Sequence, residues 1–238
     1  MEGPFLHLIN YDADLEHEHA FDVWYNTHIL NVLKCPAYQW SSRYVSLEGN
    51  FKGPYIRNLT IYRINDRSAF EVVLAKDERA RPLALKKDID DFNVLQGVRY
   101  VYSGVYEQVG GSHLGKPLLT ANLPVLLILS DATPGKEAEW DRWSQEVELP
   151  ALIRDPWVVA AGRFRAVENI IPPWLTQGPR YLTLCELAGD EAAMAMHNPK
   201  TISPALGALA SSEKIAERHL QYFYKPISQH WSFKKDPR

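Results

Sequence analysis

Two similar series of hydrophobic and polar segments follow one another along the chain. Each series begins with a short apolar stretch, FLHLINY at 5–11 and VLLILS at 125–130, and such a run predicts a buried strand. A polar turn containing an aspartate follows each strand. An amphipathic segment with paired aromatic residues comes next, FDVW at 21–24 and WDRW at 140–143, and it predicts the first helix of each series.

The match continues beyond these helices. HILNVLKCPAY begins at His28 and ELPALIRDPW begins at Glu148, and each reaches its proline at the same distance. The spacing from Trp24 to His28 is one residue shorter than the spacing from Trp143 to Glu148. The later strand candidates also correspond in pairs, namely 41–44 with 161–164, 58–64 with 181–187, and 99–106 with 219–226.

Each series therefore reads strand, helix, strand, strand, helix, strand, with second helices predicted at 66–75 and 190–197. This order is the split βαβ pattern of a ferredoxin-like unit. We predict an α+β fold of two tandem ferredoxin-like repeats, 1–110 and 124–238, joined by a linker at 111–123 that is rich in glycine and proline. Each antiparallel sheet of four strands must bury its second face, so the two sheets are expected to pack into one α+β barrel.

Composition and charge narrow the classes of partner. The net charge is -3 without a basic run, which argues against a nucleic-acid partner and against binding to anionic lipid. The most apolar stretch, at 118–129, is too short to cross a membrane. The first residues lack the features of a signal peptide, and Cys35 and Cys185 form no metal-binding or disulfide motif, so we expect a cytoplasmic protein.

The sequence lacks the common cofactor and hydrolase motifs. It contains no GxGxxG, P-loop, GxSxG, HExxH or CxxC pattern, so we expect no cofactor and no metal, and chemistry carried out by side chains. The chain has 7 Trp and 12 Tyr. Such a composition fits a bulky core and equally a pocket for a planar or hydrophobic ligand.

The segment WYNTHILNVLKCPAY, at 24–38, resembles the first-helix signature of the dimeric α+β barrel superfamily, especially its EthD-like branch. Ala37 stands where that signature has glycine, and Glu148 stands in the second repeat where it has histidine. The resemblance implies pockets between the helices and the sheet. It also implies roles ranging from cofactor-free oxygenation to isomerisation, cyclisation and lyase chemistry on aromatic or polyketide-like compounds, with haem bound through a histidine in one branch similar to chlorite dismutase.

His28 is the first candidate for catalysis. On a helix, Phe21, Trp24, Tyr25, His28 and Val32 fall on one stripe that faces the sheet. Histidine readily gives and takes protons near neutral pH, so a histidine in that stripe can act as the acid or base. A buried structural histidine with a hydrogen-bonded ring fits the same spacing.

Two further catalytic candidates accompany His28. Tyr25 can donate a hydrogen bond to a developing oxyanion, and Asn10, at the predicted end of the first strand, can orient a substrate carbonyl. Packing is the alternative role for Tyr25 and a turn is the alternative for Asn10. The substrate-binding candidates are Trp24, Arg43, Tyr44, Tyr62 and Tyr102. Strand alternation places Arg43 and Tyr44 on opposite faces, and an ion pair is the alternative role for the arginine.

The second repeat offers its own candidates. Glu148 can hold a proton near neutral pH if it lies in an apolar pocket, although a solvated glutamate at a helix end fits the same spacing. Arg163 corresponds to Arg43, and Tyr222 lies on the last predicted strand. His219, at the start of that strand, is the residue on which the haem alternative depends.

We therefore expect a cofactor-independent enzyme of the lyase, isomerase or cyclase type. It would act by acid–base proton transfer on a hydrophobic aromatic or polyketide-like small molecule. A cofactor-free monooxygenase and a non-catalytic ligand-binding barrel stay open as alternatives. The small molecule is the expected partner, and pairing of exposed sheet edges into a homodimer is a further expectation.

Overall fold

The structure is a computed structural model. It describes residues 5–14, 16–35, 37–47, 56–64, 97–112, 118–119, 122–168, 176–198, 200–201, 203–227 and 231–232. The predicted helix at 66–75 lies outside these residues. The strands are β1 (Phe5–Ala13), β2 (Tyr38–Ser46), β3 (Asn58–Ile64), β4 (Val98–Ser112), β5 (Val125–Ala132), β6 (Val158–Ala166), β7 (Tyr181–Leu187), β8 (Ala216–Pro226) and β9 (Trp231–Ser232). The helices are α1 (Glu18–Leu33), α2 (Glu137–Trp143), α3 (Leu149–Arg154), α4 (Asp190–His197) and α5 (Pro204–Ser211).

Several predicted elements are confirmed at their bounds. β3, β7 and α4 begin and end at the predicted residues. β4 continues to Ser112, two residues into the predicted linker, and pairs there with β6. The match between the two series therefore located these strands well, whereas the glycines of the linker did not mark the end of β4.

The sheet is antiparallel and closes on itself. The strand order is β3-β1-β4-β6-β7-β5-β8-β2-β9, and the additional pairing of β3 with β2 completes a ring of eight strands. Within each half, the fourth strand pairs with the first, the first with the third, and the third with the second, which is the ferredoxin-like order. β4–β6 and β2–β8 join the halves.

Ring closure bears on the expected homodimer. Each of β1–β8 pairs on both sides, so β9 is the one described strand with an unpaired edge. Among the described strands, a second copy of the chain could therefore pair only with β9, which is two residues long. A homodimer stays a prediction that needs another surface.

The interior of the ring is a shared apolar core. Alternate residues of β1 and β5, such as Leu6, Leu8 and Leu127, point inward and are buried with residues from the other strands of both halves. Tyr44, on β2, also points inward, on the face opposite to Arg43, as alternation predicts. Because both halves contribute to one core, neither sheet leaves its inner face exposed.

The helices cover the outer face of the ring. α1 packs Phe21, Tyr25 and Ile29 against the first half, and these residues lie three or four positions apart, as one face of a helix requires. In the second half, α3, α4 and α5 pack in the same way over β5, β7 and β8. No helix among the described residues is long and apolar enough to cross a membrane.

The first helical segments of the two halves differ in one respect. α1 is a continuous α-helix, whereas α2 and α3 are joined by a π-helical turn at Ser144–Glu148. This turn holds the one extra residue that separates Trp143 from Glu148. A π-turn accommodates a single insertion without ending the helix. Below, Ser144–Glu148 is called the π-turn.

A core substitution in α1 tests the packing. Ile29 is fully buried, and its neighbour Leu30 is 43% exposed. We expect Ile29→Ala to lower the free energy of unfolding by about 2–5 kcal/mol because it leaves a cavity under the helix. Leu30→Ala is the matched control, expected within about 0.5 kcal/mol of wild type in chemical denaturation. Equal effects would contradict the placement of α1.

Candidate functional site

A group of polar side chains lies between α1 and the outer face of β2 and β3. Arg43 and Thr60 are cross-strand partners, and so are Ser41 and Tyr62. Directly opposite residues of an antiparallel pair point to the same side, so all four face α1. Tyr25 reaches them from the helix, and its hydroxyl faces those of Thr60 and Tyr62.

Arg43 is a buried cation held from several directions. It forms an ion pair with Asp22 of α1 and donates hydrogen bonds to Asn26 Oδ1 at 3.1 Å and to the Tyr11 hydroxyl at 3.3 Å. Its guanidinium carbon lies 4.9 Å from the centre of the Tyr25 ring. Burial alone would lower the pKa of Arg43, but the interactions with Tyr11 and Asp22 raise it by more, so the net change is upward. The ion pair expected as the alternative role is therefore present.

The hydroxyls of Tyr25, Ser41, Thr60 and Tyr62 form what is called here the hydroxyl cluster. All four are buried. The hydroxyls of Tyr25, Thr60 and Tyr62 interact with one another, although none of them has a partner at good hydrogen-bond geometry among the described residues. The same is true of the Nε atom of the neighbouring Arg43. Buried polar groups nearly always have a partner, so several weakly bonded hydroxyls beside a buried guanidinium make this region the candidate site.

The tyrosines of the cluster are hydrogen-bond donors at neutral pH. Burial raises the pKa of Tyr25 and raises that of Tyr62 well above the usual value. Both phenols therefore keep their protons over the physiological range. Neutral donors beside a buried guanidinium are suited to stabilise negative charge on an oxygen atom.

His28 and Trp24 lie at the rim of this site. Both side chains are half-buried, and their rings stack with centres 4.7 Å apart and planes inclined by 13°. The ring of Tyr25 lies 5.5 Å from that of His28. The predicted stripe on α1 is thus correct in its centre, while Trp24 and His28 form its margin.

Sequence reasoning missed His7. Its Nε2 lies 3.1 Å from Ser103 Oγ and its Nδ1 lies 3.4 Å from the Tyr38 hydroxyl, while its ring stacks on Tyr62 at 5.8 Å. Burial lowers the pKa of His7 to about 3, so the ring is neutral at physiological pH. Alternation along β1 places His7 on the outer face, and that signal was available in the sequence.

Asn10 is not part of this site, which corrects its grouping with His28 and Tyr25. β1 continues to Ala13, so Asn10 lies within the strand and points into the ring. Its Nδ2 donates to the Tyr224 hydroxyl at 3.2 Å, and that hydroxyl donates to the Ile56 carbonyl at 3.2 Å. The predicted substrate-binding residues Tyr44 and Tyr102, and the second-half candidate Tyr222, also lie at the interior core rather than beneath α1.

Glu148 is fully buried, so the alternative of a solvated helix end is wrong. The Ser144 hydroxyl donates to its carboxyl group across the π-turn. Burial raises the pKa of Glu148, against the lowering effects of Ser144, Thr183 and Arg163. Arg163 itself pairs with Asp141, as Arg43 pairs with Asp22.

Three histidines in the described part of the chain are engaged by neighbouring side chains. His7 is enclosed by Tyr38 and Ser103, His28 stacks on Trp24, and His197 packs edge-on against a phenylalanine. The side chain of His219 lies outside the described residues. We therefore derive no step through haem.

No protein-family model and no curated protein matches the sequence. Solved structures do resemble it. An anthrone oxidase-like protein shares 11% identity over 98% of this chain and 94% of that one, with a TM-score of 0.64. A candidate monooxygenase from Fusobacterium nucleatum shares 9% identity over 98% and 99%, with a TM-score of 0.62. A candidate chlorite dismutase shares 12% identity over 96% of each chain, with a TM-score of 0.54.

At these identities the likeness shows the fold alone, a ferredoxin-like α+β arrangement. The predicted fold class is confirmed at this level. A shared fold does not identify a reaction for this chain, which depends on the residues of the site.

The buried carboxyl group of Glu148 gives a pH prediction. Burial raises its pKa from 4.5, so above that pH the folded protein binds more protons than the unfolded chain. The free energy of unfolding should then fall as the pH rises, by up to about 1.4 kcal/mol per unit, until the pH passes the folded pKa. Glu148→Gln, which mimics the protonated form, should lose this decline in denaturation measured across pH.

His7 acts in the opposite direction. Burial lowers its pKa to about 3, so the unfolded chain binds the proton first as the pH falls below 6.5, and stability falls toward acid pH. Comparing wild type with Glu148→Gln at each pH cancels this contribution. Glu146→Gln, at an exposed position of the same π-turn, should keep the wild-type profile. Parallel profiles for wild type and Glu148→Gln would contradict the prediction.

Proposed function

We propose that the chain is a cofactor-independent enzyme that acts on an aromatic or polyketide-like small molecule by moving protons. The observation that carries the proposal is the hydroxyl cluster beside Arg43. Its buried donors are arranged to stabilise an enolate or phenolate oxygen, the charge that forms when a proton leaves the carbon next to a carbonyl.

The roles follow from position. His28, at the rim, takes the proton from the substrate carbon, and the electron pair moves to the carbonyl oxygen. Tyr25 and Tyr62 donate hydrogen bonds to that oxygen, and Arg43 supplies positive charge. Trp24 stacks on His28 and presents an aromatic surface to the substrate. Return of the proton to another carbon gives isomerisation, and loss of a leaving group gives a lyase reaction.

Cofactor-free oxygenation is the second candidate. It begins with the same deprotonation, after which the carbanion reacts with dioxygen. The names of the similar structures include candidate monooxygenases and an anthrone oxidase-like protein. These names support oxygenation as much as they support a lyase or isomerase reaction. A non-catalytic binding protein would use the same site without turnover.

We also infer that the two halves arose by tandem duplication, with an EthD-like ancestry suggested by the motif at 24–38. Repeated contacts support the duplication. Asp12 accepts a hydrogen bond from the backbone N–H of Arg57 at 2.7 Å, and Asp131 accepts the corresponding bond from Arg180 at 2.7 Å. We propose a cytoplasmic location because both cysteines are free and buried.

A turnover screen tests the proposal. Aromatic ketones, phenols and lactones are incubated with the protein in D₂O, and deuterium incorporation is followed by NMR. We expect His28→Ala to lower exchange or turnover by about 10²–10⁴-fold and Tyr25→Phe by about 10²–10³-fold. His19→Ala, at an exposed position of α1, is the matched control and should be unchanged.

Oxygen consumption separates the candidates. Exchange with oxygen uptake indicates the oxygenase, and exchange without uptake indicates the isomerase or lyase. Full activity in His28→Ala would remove this residue from the mechanism. Binding by wild type without exchange or turnover for any compound would leave the non-catalytic protein as the answer.

A further inference from the structure

Arg63 is a cation that faces the inside of the ring. It lies opposite Leu6 on β1 and opposite Trp40 on β2, and both of these residues belong to the interior core. Directly opposite residues of antiparallel strands point to the same side of the sheet, so the Arg63 side chain points inward too. It is half-buried, one residue before the end of β3. A charged group therefore lies at this end of a largely apolar interior.

Arg63 differs from the other arginines that are withdrawn from water in the described part of the chain. Arg43, Arg57 and Arg163, which are also buried or half-buried, each form an ion pair with a carboxylate. The guanidinium of Arg63 has no ion pair and no hydrogen bond to any residue that the structure describes, and burial lowers its pKa. A guanidinium that has lost part of its hydration gains from an anionic partner.

Two leucines of the linker fill the ring at the same end. β3 and β4 end there and β5 begins there, because neighbouring strands run antiparallel all the way round. Leu118 and Leu119 are 5% and 1% exposed and belong to the interior core. The Leu118 side chain occupies the space that a side chain at Gly162 would need, and Gly162 pairs with Gly111 next to the end of β4.

The backbone of Leu119 is strained. Its φ is +60°, and it is the one residue other than glycine with a positive φ among those that the structure describes. In this conformation the Cβ atom crowds the following carbonyl oxygen, so a leucine is unfavourable there. The strain persists because the side chain is buried, and it is released if the leucine moves out. A ligand that fills the same space therefore displaces the leucine at a reduced cost.

The equivalent position of the second half is acidic. Glu186 takes the place of Arg63 in the matched strands, and it lies opposite Val125 of the interior core. It is buried at the same end of the ring. The two halves thus place a basic and an acidic residue at matching positions, and an anion is directed to the half that carries Arg63.

We propose that this end of the ring binds an amphipathic carboxylate of the fatty-acid class. The carboxylate pairs with Arg63, whose planar guanidinium offers two parallel donors to its two oxygens. The apolar tail takes the place of the Leu118 and Leu119 side chains, and an unbranched tail of about eight carbons matches them in volume. Because this site lies inside the ring and the groups beneath α1 lie outside it, neither site requires the other.

Calorimetric titration of the full chain tests the site. Octanoate, below its micelle concentration, is compared with 1-octanol, which has the tail without the charge, and with acetate, which has the charge without the tail. We expect octanoate to bind about tenfold or more tightly than either. Arg63→Gln should weaken octanoate binding about tenfold and leave 1-octanol unchanged. Arg154→Gln, at an exposed arginine of α3, is the matched control and should bind normally.

Leu119→Gly tests the exchange of the leucines for the tail. Glycine accepts a positive φ and leaves the space of the side chain free, so we expect octanoate to bind about tenfold more tightly. Ile29→Ala, which opens a cavity outside the ring beneath α1, should leave the affinity unchanged. Tyr25→Phe, altered at the proposed catalytic site, should also bind octanoate normally.

The outcomes keep the two proposals apart. No binding of octanoate, equal affinity for octanoate and 1-octanol, or unchanged affinity in Arg63→Gln overturns the site inside the ring. Loss of octanoate binding in Tyr25→Phe but not in Arg63→Gln would place the carboxylate beneath α1 and overturn it as well. If Arg63→Gln does not fold, Leu119→Gly decides, because unchanged or weaker binding there overturns displacement of the leucines. Absence of turnover in the D₂O screen does not alter these titrations, so each proposal fails separately.

Discussion

Closure of the sheet into a ring is the constraint on which the rest of the structure depends. Eight strands from two halves pair around one apolar interior, so the inner face of each sheet is occupied by the other half. Polar groups nevertheless occur on both faces of the ring. Asn10 bonds to Tyr224 inside the ring and Glu186 is buried near Tyr44, whereas Tyr25 faces the candidate site on the outer face.

The buried arginines attach the helices to this ring. Arg43 is 2% exposed yet contacts Asp22 and Asn26 on α1 and Tyr11 on β1, and Arg163 is held by Asp141 in the same way. A buried charge needs close partners to offset its loss of hydration. Each pair therefore fixes the distance and rotation of a helix over the strands, and with them the position of the groups proposed to meet the ligand.

The sequence was sufficient for much of the fold because the periodicities are strong. The match between the two series located β3 and β7, and helical spacing placed Tyr25 toward the sheet. The sequence was insufficient to place a side chain where a single residue changes the local backbone geometry. The strand β1 runs past Asn10, since the following residues still pair with β4, and no local signal shows this. The burial of Glu148 depends on the π-turn, whose only trace is one extra residue in the internal comparison. The hydroxyl cluster draws on three elements, so spacing along the chain does not bring it together.

The π-turn has a consequence for stoichiometry. Two similar halves would be expected to bind two ligands per chain. In the second half, Glu148 corresponds to His28 but is fully buried and does not lie at the rim of a helix. On the proposed function, a chain therefore has one site, and a titration should end at a ratio of one rather than two.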